Sequence, residues 1–282
     1  MTLSTRLVET AWVDEHLEDP ELLICDCRFA GTREASEAVY LAGHIPGAIH
    51  VYWLDALCTA DTTVTTFLPT AAEAQRKLGA LGITEGTYVV GYAEAGSPYA
   101  SRLWHVLSHF GHERVALLDG GIDKWLAEGR PVRRERVPAA AAAFHPSTMN
   151  GTITAGELRR RFDDPKLRIL DVRSPAEYDG SDRRAARGGH IPGALLLPWQ
   201  DDLRQDGTLR SPAELRARAE ALGIAPEHEV VTYCQGGVRA AHSAFALSRA
   251  GYPNVRVYDG SWAEWGNEPH LPVETAPELA AT

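Results

Sequence analysis

The apolar positions of the chain fall into short unbroken runs separated by longer stretches of helical period. Leu22-Leu23-Ile24-Cys25-Asp26-Cys27-Arg28 and Arg168-Ile169-Leu170-Asp171-Val172-Arg173 are two such runs, each ending on an Asp-x-Arg tripeptide. Tyr88-Val89-Val90-Gly91-Tyr92-Ala93 and Glu229-Val230-Val231-Thr232-Tyr233-Cys234 are another pair. Runs this short, without polar alternation, are the mark of strands covered on both faces, as in a parallel sheet. Leu103, Val106, Leu107 and Phe110 recur at i, i+3, i+4 and i+7, and Ala240, Ala241, Ala244, Phe245, Leu247 and Ser248 read as a further helix. Strands alternating with helices predict an α/β architecture, a sheet covered by helices.

The whole pattern occurs twice. Gly43-His44-Ile45-Pro46-Gly47-Ala48 recurs unchanged as Gly189-His190-Ile191-Pro192-Gly193-Ala194. Asp26 and Arg28 align with Asp171 and Arg173, and the segment from Asp119-Gly120-Gly121 to Trp125 aligns with that from Asp259-Gly260-Ser261 to Trp265. A repeat of this extent predicts two α/β domains. Between them, Arg133 to Pro138, the alanine run Ala139 to Ala143 and Phe144-His145-Pro146 show no amphipathic period. The expected organisation is therefore an N-terminal domain over 1–138, a linker over 139–150 and a C-terminal domain over 151–282. The alignment also places Ala93 where the second copy has Cys234.

Composition narrows the partners. The 282 residues are 44% hydrophobic and 23% charged, an ordinary globular balance, and the net charge of -10 disfavours unspecific binding to nucleic acid or to an anionic membrane. Met1 to Glu9 has no apolar core of a signal peptide, and no uncharged apolar run is long enough to span a bilayer. A soluble, cytoplasmic monomer acting on small molecules or proteins is expected. Four cysteines, Cys25, Cys27, Cys58 and Cys234, are too few for a disulfide framework, and Cys234 is alone in its half.

Cys234 is the chemical focus. It follows a strand and precedes Gln235-Gly236-Gly237-Val238-Arg239 and a helix, so unpaired amides and the positive end of the helix dipole should face its sulfur and favour the thiolate. Gly236 and Gly237 allow successive N–H groups to converge as an anion nest. Arg239 adds a fixed charge whose planar fork suits a tetrahedral oxyanion such as thiosulfate. A buried packing cysteine at a glycine turn is the bland alternative, and the flanking glycines and arginine speak against it.

This loop, both Gly-His-Ile-Pro-Gly-Ala segments and the Asp-Gly-Ser-Trp at 259–262 resemble the rhodanese family over nearly the whole chain. The resemblance implies two tandem rhodanese-like domains, each a parallel five-stranded sheet between helices, with catalysis kept only in the second. It implies that Cys234 forms a persulfide and that Gln235, Gly236, Gly237, Val238 and Arg239 bind the substrate. The reaction implied is ping-pong transfer of a sulfane sulfur from thiosulfate to cyanide or a thiol acceptor, with no metal and no organic cofactor.

Cysteine phosphatases and arsenate reductases of related fold carry Cys-x5-Arg, whereas Cys234 to Arg239 is one residue shorter. Mercaptopyruvate enzymes typically carry Cys-Gly-Ser-Gly-Val-Thr, which this loop does not match. Animal-type thiosulfate enzymes and mercaptopyruvate enzymes usually place an arginine just before the aromatic aligned with Tyr178, where this chain has Glu177; Arg239 or one of Arg183, Arg184 and Arg187 could supply that charge. A carrier or scaffold without turnover is a further alternative, which the intact Cys234 loop disfavours.

Other conspicuous residues have plainer readings. His44 and His190 sit in both copies, including the one without a nucleophile, and so fit a structural role. Asp171 and Arg173 fit loop fixing by the same logic, with Asp171 also a candidate for indirect support of the catalytic loop. Cys25 and Cys27 read as packing residues, His105, His109 and His112 as solvated or capping, and Trp262 and Trp265 as helix core or cleft border.

Overall fold

The computed structural model describes residues 6–60, 64, 66–147 and 150–275. The chain divides into two compact units, Met1–Gly151 together with Leu203–Arg210, and Thr152–Asp202 together with Ser211–Thr282. In the first, the order is β1 (Arg6–Val8), α1 (Thr10–Glu15), β2 (Leu22–Asp26), α2 (Arg33–Ala42), β3 (Ile49–His50), α3 (Trp53–Ala56), α4 (Ala71–Ala80), β4 (Tyr88–Tyr92), α5 (Tyr99–His109), β5 (Val115–Leu118) and α6 (Gly121–Ala127). In the second it is β6 (Thr152–Ile153), α7 (Ala155–Arg161), β7 (Leu167–Asp171), α8 (Pro175–Asp179), β8 (Leu195–Leu196), a 3-10 turn (Trp199–Asp202), α9 (Pro212–Ala221), β9 (Glu229–Tyr233), α10 (Val238–Arg249), β10 (Val255–Tyr258) and α11 (Ser261–Trp265).

Each unit holds a five-stranded parallel sheet, ordered β1-β5-β4-β2-β3 in one and β6-β10-β9-β7-β8 in the other. The apolar runs are thus central strands, β2 and β4 or β7 and β9, covered by helices as their composition requires. The chain leaves β8 and re-enters at β9 on the other side of β7. The sheet therefore has its topological switch between β7 and β9, where open α/β sheets bind ligands at the strands' carboxyl ends. Cys234 follows β9 directly.

The Asp-x-Arg ending of β7 is a buried chelate. Arg173 Nε donates to Asp171 Oδ1 at 2.9 Å, Arg173 Nη2 to Oδ2 at 2.6 Å, and the same Nη2 to the Gly189 carbonyl at 2.7 Å. The Tyr233 hydroxyl donates to Asp171 Oδ2 at 2.6 Å and accepts the Ile191 N–H at 3.2 Å. Two strand ends and the Gly-His-Ile-Pro-Gly-Ala turn are thereby joined through one carboxylate. The first unit repeats this with Arg28, Asp26, Tyr92, Gly43 and Ile45. The turn histidines are structural in both copies: His44 stacks on Tyr40 with centroids 4.0 Å apart, and His190 on Tyr178 at 3.7 Å.

Trp262 and Trp265 are core residues, buried with Ile169, Val231 and Tyr258, and the Arg173 guanidinium lies 4.6 Å from the centroid of the Trp262 ring. Cys25 and Cys27 are buried, and desolvation pushes both thiols well above their usual range, which keeps them protonated packing groups.

His105, His109 and His112 are not solvated: all three are buried, as is almost every residue of α5. α5 packs against α3, β4 and β5 and is covered elsewhere too. Burial lowers the pKa of His105 and His112, so both are neutral. The segment read as a linker is fastened to the first unit. The Ala142 N–H donates to the Gly79 carbonyl at 2.8 Å, and Phe144 is buried. A Cβ at position 79 would lie 2.6 Å from the Ala142 carbonyl oxygen, so this contact requires glycine in the last turn of α4. Among the described residues, no helix is long and apolar enough to cross a membrane.

Removing one partner of a buried ion pair leaves the other charge uncompensated, at a cost of about 3–5 kcal/mol. Asp171→Ala is accordingly expected to destabilise the second unit by about that amount in urea unfolding, and Tyr233→Phe by about 1–3 kcal/mol.

Candidate active site

Cys234 is buried at the carboxyl end of the central strand, and its neighbours hold its backbone from two sides. Its N–H donates to Ser261 Oγ at 3.1 Å, and its carbonyl accepts the Trp262 N–H at 2.9 Å. Ser261 also donates from Oγ to the Tyr258 carbonyl at 2.8 Å, and it is the one described non-glycine residue with positive φ, 51°. The aligned residue of the first unit is Gly121, φ 56°, where a Cβ would lie 2.1 Å from the Ala93 carbonyl oxygen. The second copy thus accepts a strained backbone that places a hydroxyl against the cysteine amide. Sequence reasoning gave Ser261 no role. The only signal was a serine facing a glycine in the repeat.

Beyond Cys234 the chain turns at Gly237, the N-cap of α10, at φ 82° and ψ -22°. Of the two loop glycines it is Gly237 that carries the left-handed turn. No side chain caps α10, so the first amides of a 12-residue helix are left to a ligand at the end where its dipole is positive. Gln235 reaches the other way, its Nε2 donating to the Arg184 carbonyl at 3.2 Å and tying the 184 segment to the loop.

Arg239 lies beside Cys234, close enough for a thiolate there to favour the guanidinium's charge, and makes a two-pronged pair with Glu177, Nη1 to Oε2 at 2.7 Å and Nη2 to Oε1 at 2.8 Å. Burial works against its charge, and Glu177 and Cys234 outweigh that and raise its pKa. Glu177 is 1% exposed and forms a capping box with Ser174 at the start of α8, accepting from Ser174 N and Oγ, both at 3.1 Å. Burial would raise its pKa, but Arg239, Ser174 and Arg184 together hold it down at about 2.

The position thought to lack a cation therefore holds the partner of another. Of the arginines proposed to replace that cation, Arg187 closes the end of α11, donating to the Trp265 and Leu271 carbonyls at 2.7 Å each. Arg183 is exposed and donates to the Ala185 carbonyl. Arg184 comes nearest the loop, 3.6 Å from Glu177 and 2.6 Å from Asp182. Asp171 touches the loop only through Tyr233, the residue before Cys234. Among the described residues no group of His, Cys, Asp or Glu side chains could hold a metal ion.

A carboxylate whose folded-state pKa is depressed stabilises above its unfolded pKa and loses that contribution as pH falls towards the folded value. Glu177→Gln should therefore cost about 1.5–3 kcal/mol near neutral pH. In denaturant titrations the gap to the unaltered protein should stay constant down to about pH 5 and narrow below about 4.3.

The rhodanese-like domain model matches residues 9–128 and again 154–268. A thiosulfate sulfurtransferase of Azotobacter vinelandii is 37% identical, with 95% of this chain and 96% of that protein covered. The sulfur carrier protein TtuD of Thermus thermophilus is 36% identical, with 96% and 97% covered. The crystal structure of the 3-mercaptopyruvate sulfurtransferase of Escherichia coli superposes with a TM-score of 0.81 at 30% identity, covering 92% of this chain and 99% of that one. The two matched domains, the duplicated parallel sheets and these full-length relatives establish that the chain belongs to the rhodanese family of sulfurtransferases.

Proposed function

We propose that the protein transfers a sulfane sulfur from thiosulfate to cyanide or a thiol acceptor through a persulfide on Cys234. One observation carries the reading: Cys234 lies at the end of β9 where the uncapped amides of α10 begin, with Arg239 on the first turn of that helix. In the first half of the cycle the Cys234 thiolate attacks the outer sulfur of thiosulfate. The S–S bond breaks, sulfite leaves with its electron pair, and Cys234 carries the sulfur as a persulfide anion. In the second half cyanide or a thiolate takes that outer sulfur and the thiolate returns. Gln235, Gly236, Gly237 and Val238 offer backbone amides to the bound anions, and Arg239 offers its charge. The first unit, with Ala93 at the matching place, serves a structural role.

Two alternatives draw on relatives, a 3-mercaptopyruvate sulfurtransferase and a sulfur carrier. The first is disfavoured by Gln235, Gly236 and Arg239 in place of that enzyme type's loop. The second shares the persulfide and differs only in the acceptor. A phosphatase is disfavoured by the short Cys-x4-Arg spacing.

Thiosulfate, mercaptopyruvate and a phosphate ester, assayed side by side, separate these readings. Thiosulfate is expected to give the highest kcat/KM, with thiocyanate formed from cyanide, and Cys234→Ala to abolish turnover. A higher value with mercaptopyruvate would move the protein to that class, and release of phosphate would contradict sulfur transfer.

A further inference from the structure

The charges around Cys234 alternate and cancel. Arg239 is paired at 2.7 and 2.8 Å with Glu177, Glu177 lies 3.6 Å from Arg184, and Arg184 lies 2.6 Å from Asp182. Two guanidinium groups thus face two carboxylates. Glu177 cannot swing aside without giving up its bonds to Ser174 N and Oγ, and it is almost wholly buried, whereas the Arg184 side chain is 50% exposed. A donor entering the loop meets the helix amides and the Arg239 guanidinium, but Arg239 arrives already neutralised by a fixed negative charge.

We propose that Glu177 is a specificity-determining residue, which weakens the binding of a doubly charged sulfur donor relative to a singly charged one by neutralising Arg239. The proposal rests on sulfur transfer through Cys234 and adds the charge class of the donor. The reason for discrimination is Coulombic: the repulsion a buried carboxylate exerts grows in proportion to the donor's charge. Thiosulfate and methanethiosulfonate make a clean pair, since a methyl group replaces one charged oxygen. With thiosulfate the thiolate takes the outer sulfur and sulfite departs with the S–S electron pair. With methanethiosulfonate the same bond breaks and methanesulfinate departs, again leaving the Cys234 persulfide. Because Glu177 keeps its charge down to about pH 2, the discrimination holds throughout the working range.

The test is Glu177→Gln, which keeps a side-chain oxygen for the capping box and for one Arg239 N–H while removing the charge. The expected result is a fall of about tenfold in the thiosulfate KM and about threefold in the methanethiosulfonate KM, twice the logarithmic effect for twice the charge. Equal effects on both donors, or none, would overturn the proposal. If this variant does not fold, Arg184→Gln carries the test with reversed sign: thiosulfate KM must rise more than methanethiosulfonate KM, and equal changes overturn the proposal. Failure of both donors to place sulfur on Cys234 in the unaltered protein would overturn the sulfur-transfer reading itself, and this proposal with it.

Discussion

The buried carboxylate of Asp171 is the constraint on which the candidate active site depends. It holds the Arg173 guanidinium and the Tyr233 hydroxyl at 2.6 Å each, and through them the Gly189 carbonyl and the Ile191 N–H. An ion pair taken out of water is favourable only when its remaining hydrogen-bonding capacity is filled, and here the turn at 189–194 fills it. Tyr233 is the last residue of β9, so the same carboxylate fixes the point from which Cys234 leaves the sheet. The backbone ladder alone would allow that strand end to fray.

The first unit shows what this frame does without chemistry. Asp26, Arg28 and Tyr92 make the same bonds, yet the strand they anchor ends at Ala93. The frame therefore belongs to the fold and not to the reaction. What the second copy adds is local: a thiol at 234, a hydroxyl at 261 on strained backbone, an uncapped helix after Gly237, and an Arg239–Glu177 pair beside the sulfur. Charge is the least obvious of these additions. An arginine beside a loop cysteine invites assignment as an anion clamp, but its two-pronged bond to Glu177 already commits that charge to holding the loop.

Much of this was legible in the sequence, because duplication tests each reading against a sister copy. The apolar runs ending in Asp-x-Arg gave the central strands, and the identical turns favoured a structural role for His44 and His190. The contrast of Ala93 with Cys234 singled out the copy proposed to react. Three features were hidden for physical reasons. The pairing of Glu177 with Arg239 joins residues distant in sequence, and no periodicity connects them. The role of Ser261 depends on a φ that serine seldom adopts, so nothing local predicts it. The burial of His105 and His109 follows from a helix covered all round, and His112 is buried just beyond its end; tertiary packing overrides the expectation that polar residues face water.

Sulfur transfer through Cys234 requires that a donated sulfur reside on that residue. Peptide-level mass spectrometry of the protein after incubation with thiosulfate and trapping of persulfides measures this directly. One additional sulfur on the Cys234 peptide, with none on those containing Cys25, Cys27 or Cys58, is the predicted result. Sulfur on any of the other three, or none on Cys234, would contradict it.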